Sequence, residues 1–183
     1  MNPATKVLFN QYNLDHLYTG VTAFTTRTGS IIISIDTREK NWQTILKYVI
    51  AHEYHHSVWT SRNFKRKDFS VIEYLVFEGR ADYFASKIFP DIKVPWTKNL
   101  NPVKEKEAWK ILRDKLQLRD DNLDKILYGD GKIPYGSVYS VGYSIVSNFM
   151  MNNPQVSIME LTDMDPQGIL DRSGYLGYID SIK

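Results

Sequence analysis

Five consecutive residues, His52-Glu53-Tyr54-His55-His56, hold the most legible chemistry in the chain. They spell H-E-x-x-H. On a helix, His52 and His56 fall one turn apart on one face, where they can hold a zinc ion. Glu53 beside them can take a proton from a water. Buried polar side chains each need a partner, and a shared metal satisfies both imidazoles at once. His55 adds a second geometric option, because His52 and His55 are also neighbours on a helix surface. The i,i+4 pair His52/His56 fits the zinc-helix spacing and keeps Glu53 adjacent. That leaves His55 a supporting or packing role.

A second stretch supplies what the motif lacks. Val71, Leu75, Glu78, Asp82, Ala85 and Phe89 recur at helical spacing, and two acids sit in the middle of this otherwise apolar stripe. A pair of salt-bridged carboxylates is the structural alternative, but no lysine or arginine shares the stripe. Uncompensated buried carboxylates cost several kcal/mol each. A metal resolves both: Glu78 as third ligand, and Asp82, one turn on, accepting the free ring N–H of a zinc histidine. Gly79 in mid-helix costs ~1 kcal/mol relative to alanine. It is expected to let this helix and the motif helix approach closely enough to share one ion. Arg80 is expected at the surface or in a salt bridge with Glu73.

The elements that must position these groups follow from local pattern. Residues 21–26 are β-branched and aromatic, Arg27-Thr28-Gly29 is turn-like, and residues 31–35 are an apolar run. This predicts a hairpin whose second strand is buried on both faces or nearly so. Asn41 is a plausible N-cap for the motif helix, whose stripe Ile45, Val49, His52, His56 is the buried face. Asp68 or Ser70 caps the second helix, which runs to about residue 89. A proline-punctuated connector fills 90–102. Glu105, Ala108, Trp109, Leu112 and Leu116 define a third amphipathic helix. A charged turn follows at 119–121, then a short helix over 123–128 that stops at Gly129. A last major helix runs from Pro134 to about Met151, ended by Asn152-Asn153-Pro154. Short helices near 157–161 and 167–172 complete the chain. Tyr135, Tyr139 and Tyr143 are four apart on the last major helix. They are either an aromatic face on the core or a source of a phenol that donates to the oxyanion of a tetrahedral intermediate. His16 has no ligand spacing around it and reads as an exposed or half-packed histidine. The basic stretch 62–67 reads as a solvated loop.

Composition narrows the chemistry. The chain has 183 residues, 43% hydrophobic and 24% charged, as in an ordinary soluble globular protein. Lys and Arg number 23 against 21 Asp and Glu, a net charge of +2, which gives no global pull toward nucleic acid or membrane. There is no cysteine, which excludes disulfides, cysteine-ligated zinc and a thiol nucleophile. Zinc here must use nitrogen and oxygen ligands, the catalytic rather than the closed structural style. No apolar run approaches the ~18 residues of a membrane span. The first six residues lack a secretion pattern, so a cytoplasmic protein is the expectation.

His52-Glu53-Tyr54-His55-His56 followed by Glu78 and Asp82 resembles the gluzincins, the thermolysin-like class of zinc peptidases. It differs from the metzincins at Trp59 and Arg62, where those have glycine and histidine. More narrowly, the motif together with Glu78-Gly79-Arg80-Ala81-Asp82 is similar to the bacterial YjaZ-like family of predicted zinc-dependent proteases, a domain of unknown function. Residues 139–146 and 169–175 are similar to that family's late tyrosine-glycine segment and its C-terminus, and the resemblance covers about residues 20–177. Members of the family usually carry a longer N-terminal portion, which leaves a short natural member or a trimmed domain. The resemblance implies an α+β, mainly helical zincin-like fold, with a small N-terminal hairpin packed on the motif helix, as a single domain over 1–183. It implies zinc held by His52, His56 and Glu78, with Glu53 as general base, and it favours Tyr139 or Tyr143 as the oxyanion donor. The substrate is expected to be a peptide or protein, laid along the strand at 31–35. The alternative is a zincin-fold module that binds peptides without turnover.

Overall fold

The protein is described by a computed structural model that covers residues 19–63, 69–119 and 133–182. The expectations at His16, Asp68, residues 120–121 and 123–131, and most of the basic stretch, lie outside the described residues. The fold is mainly helical with one small antiparallel sheet. Two compact units share the chain. One takes residues 19–63 with Phe84–Pro95; the other takes 69–83 and the chain from Trp96 onward.

In the first unit, β1 (Val21–Thr25) and β2 (Ile31–Ile35) pair antiparallel, Val21 opposite Ile35 and Thr25 opposite Ile31. Gly29 closes the turn at φ 81°, a backbone region that favours glycine. The expectation that β2 is buried on both faces does not hold. Ile32 is 47% exposed, and its cross-strand partner Phe24 is 58% exposed. Among the described residues the sheet has two strands, so only one face of the ribbon packs inward. The loop into the next helix is fixed by Asp36, whose buried carboxylate accepts from Arg38 Nε and Nη2, both at 2.8 Å. Helix α1 (Trp42–Asn63) then starts where Thr44 and Ile45 N–H donate to the Asn41 carbonyl. It buries Ile45, Tyr48, Val49, His52, His56 and Trp59, the face predicted from spacing.

Helix α2 (Val71–Ile88) passes from the second unit into the first. A reciprocal capping box starts it: Glu73 N–H donates to Ser70 Oγ, and Ser70 N–H donates to Glu73 Oε2 at 2.7 Å. The second unit continues through a 3₁₀ turn (Trp96–Lys98) and α3 (Pro102–Leu112), which is capped by the Asn101 side chain with Pro102 next. Helix α4 (Ser137–Asn152) is followed by α5 (Ile158–Asp163), α6 (Pro166–Arg172) and α7 (Tyr175–Ser181). The core of this unit joins Leu75, Val76, Trp109, Leu112, Ile145 and Phe149 with residues of the last helices. Large apolar side chains buried this fully contribute about 1.5–3 kcal/mol each.

Three further expectations differ from the structure. The pattern near 167–172 predicts the final helix, yet α7 follows it. Gly174, at φ 72°, turns the chain into α7, and Tyr175 is buried at its start. Arg80 is not at the surface. It is 3% exposed and its guanidinium donates to the Met164 carbonyl. The close approach that Gly79 permits is to Gly142 of α4, within the second unit.

Candidate metal centre

Helix α1 brings two imidazoles to one point. His52 Nε2 and His56 Nε2 are 2.9 Å apart, the rings nearly perpendicular at 87°, and both residues are buried. The four-residue spacing places them on successive turns. The apolar neighbours Ile45 and Val49 keep that face inward. His55 is buried on an adjoining face, its ring 5.8 Å from that of Phe84, which also packs near Tyr54.

Glu53 is buried beside the pair, and its carboxylate is held by the sheet. Thr25 Oγ1–H, at the end of β1, donates to Glu53 Oε2 at 2.7 Å. Sequence reasoning missed this contact. The available signal is the alternation Val21, Ala23, Thr25, which points a hydroxyl inward, but no local pattern names its partner.

In the second unit, Glu78 and Asp82 lie on α2 as the stripe predicts, 5% and 0% exposed. Asp82 Oδ1 accepts the indole N–H of Trp96 at 3.0 Å. Trp96 is held in turn by Ser140, whose hydroxyl donates to its carbonyl at 2.8 Å. Sequence reasoning missed Trp96 as well. An indole N–H among apolar groups needs an acceptor, and a tryptophan in the proline-punctuated connector is the available clue. Tyr139 and Tyr143 are half-buried on α4, off the face formed by Val138, Val141, Ile145 and Phe149.

Residues 6–171 match the family described as Predicted Zn-dependent protease (DUF2268). The chain belongs to this family. A protein of Bacillus subtilis (strain 168), described as Uncharacterized protein YjfC, is 30% identical to this family member over 139 residues, 69% of the chain and 46% of that protein. The chain thus spans less than half the length of this curated relative. No solved structure matches the chain. Among the described residues, no helix is long and apolar enough to cross a membrane.

The first unit's residues fit the metal that the family description names. Tetrahedral zinc with Zn–N near ~2.05 Å requires ligand nitrogens roughly 3.3 Å apart. His52 and His56 Nε2 need move only a few tenths of an ångström from their 2.9 Å separation. In a chain without cysteine, zinc must take nitrogen and oxygen donors, and an imidazole pair supplies two of them.

Proposed function

We propose that this chain is a zinc-dependent peptidase of the gluzincin type, with a zincin-like fold in which His52, His56 and Glu78 hold the ion. Each offers one ligand atom and each is buried. The observation that carries the reading is the convergence of His52 and His56 Nε2 in a buried helix face, with Glu53 between them in sequence and hydrogen-bonded to Thr25. Bound zinc would supply Lewis acidity, bringing the pKa of a water toward neutral and polarising the scissile carbonyl.

The chain's own groups do the rest. Glu53 accepts the proton of the attacking water and delivers it to the leaving amine, so one water adds across one C–N bond. Asp82 accepts a ring N–H from a ligand histidine and fixes that imidazole's tautomer. The indole N–H of Trp96 donates to the same carboxylate. A phenol of α4, from Tyr139 or Tyr143, donates to the developing oxyanion. An extended peptide or unfolded protein segment is the substrate, adding along β2 by main-chain hydrogen bonds.

The test is hydrolysis of an unfolded protein by metal-replete and chelator-treated protein. Cleavage that is lost in chelator and restored by zinc is expected. Cleavage that persists after the metal is removed overturns the reading.

A further inference from the structure

Two side-chain hydroxyls tie the hairpin to the motif helix, one helical turn apart. Thr25 Oγ1 lies 2.7 Å from Glu53 Oε2 and 3.1 Å from the Glu53 main-chain oxygen. Four residues further along each segment, Ser57 Oγ–H donates to the Gly29 carbonyl at 2.6 Å. The two ties differ in kind. Ser57 holds only the backbone of the turn. Thr25 has a single proton, and its nearer acceptor is a buried carboxylate, which makes the stronger, charge-assisted bond.

Two features make Thr25 suited to aim that carboxylate. Being β-branched, it is stiff at χ1, and it sits on a paired strand whose inward face includes buried Val21. A glutamate has three rotatable side-chain bonds, and a proton acceptor must sit within hydrogen-bond reach of the water it activates.

We propose that Thr25 is the positioning residue for Glu53. It occupies Oε2 and so presents Oε1 as the oxygen that takes the proton. This rests on the general-base role of Glu53 proposed above.

Three variants separate positioning from simple attachment of the hairpin. Thr25→Val keeps the shape and removes the donor; Thr25→Ser keeps the donor. Ser57→Ala removes the second anchor and leaves Glu53 untouched. In Thr25→Val, kcat on a peptide substrate is expected to fall roughly 10- to 100-fold with KM and zinc content unchanged. Thr25→Ser is expected to restore most of the rate, and Ser57→Ala to keep it. In zinc-free protein, the side-chain carboxyl ¹³C resonance of Glu53, assigned through Glu53→Gln, is expected to move in Thr25→Val and not in Ser57→Ala. Wild-type kcat in Thr25→Val, an unmoved resonance, or an equal loss in Ser57→Ala would overturn the proposal while leaving the peptidase reading intact. A wild-type protein with zinc but no hydrolysis overturns both.

Discussion

Gly79 of α2 and Gly142 of α4 lie backbone against backbone. A Cβ on Gly79 would stand 2.9 Å from Cγ2 of Val146 and closer still to the Gly142 carbonyl, and a Cβ on Gly142 would crowd the Leu75 carbonyl in return. The helix that carries Glu78 and Asp82 is therefore seated on α4 through a contact that admits no side chain at either position.

Gly79→Ala tests this contact. Alanine gains about 1 kcal/mol of helix propensity, but the backbone it meets cannot yield as a flexible side chain would. A net destabilisation of about 1–3 kcal/mol is expected, read as a lower urea midpoint at unchanged m. A neutral or stabilising outcome would show that the two helices separate at little cost.

Much of this is legible in the sequence because it is local. The hairpin, the inward face of α1 and the mixed stripe of α2 follow from periods of 2 and 3.6, and the i,i+4 pair His52/His56 follows from the same geometry. The partners of Gly79, Arg80, Thr25 and Trp96 are not legible, because each residue meets a group outside its own element, Arg80 lying 84 residues from Met164. The exposure of Ile32 escapes sequence reasoning for a related reason. A short apolar run does not reveal how many strands flank it. Helix α7 escapes it because its start depends on Gly174 in a left-handed conformation just after α6.

Trp96 and Asp82 give a second prediction. If Asp82 supports a ligand histidine as proposed, Asp82→Asn is expected to weaken zinc binding on the order of 10- to 100-fold. Trp96→Phe deletes the indole donor to Asp82 Oδ1 and is expected to weaken it less. Competitive titration against a zinc-responsive chelating dye measures both. Unchanged affinity in Asp82→Asn would remove Asp82 from the site.

The two tyrosines of α4 are separable by a paired measurement of rate and metal content. Tyr139→Phe and Tyr143→Phe each remove one hydroxyl. One of them, and not both, is expected to lower kcat on the order of 10²–10³-fold with zinc content unchanged. Full activity in both variants would assign the oxyanion donor elsewhere.

Glu105 sets a pH dependence of stability away from the proposed site. Its carboxyl is buried in α3 and accepts the Tyr175 hydroxyl at 3.0 Å. Burial, the largest influence, raises its pKa above the ordinary carboxyl value of 4.5; hydrogen bonds from Ser144 and Tyr175 oppose the rise. Burial, and after it the Glu105 carboxylate, raise the pKa of the Tyr175 phenol as well. For an acid whose pKa is raised on folding, the folded state binds the proton more tightly. The associated stability is full below the unfolded pKa and is lost as pH rises through the folded value. Glu105→Gln abolishes this titration. Its Tm relative to wild type is therefore expected to rise as pH increases above about 4.5. A constant difference across that range would mean that Glu105 does not titrate with folding.

If one buried turn of α1 binds zinc and uses Glu53 to activate water, Glu53→Gln separates the two roles when zinc content and hydrolysis of an unfolded protein are measured together. The expected result is one zinc per chain in both proteins, with hydrolysis by the variant reduced on the order of 10²–10⁴-fold. Wild-type hydrolysis by Glu53→Gln, or metal-replete wild-type protein that carries no zinc, would contradict it.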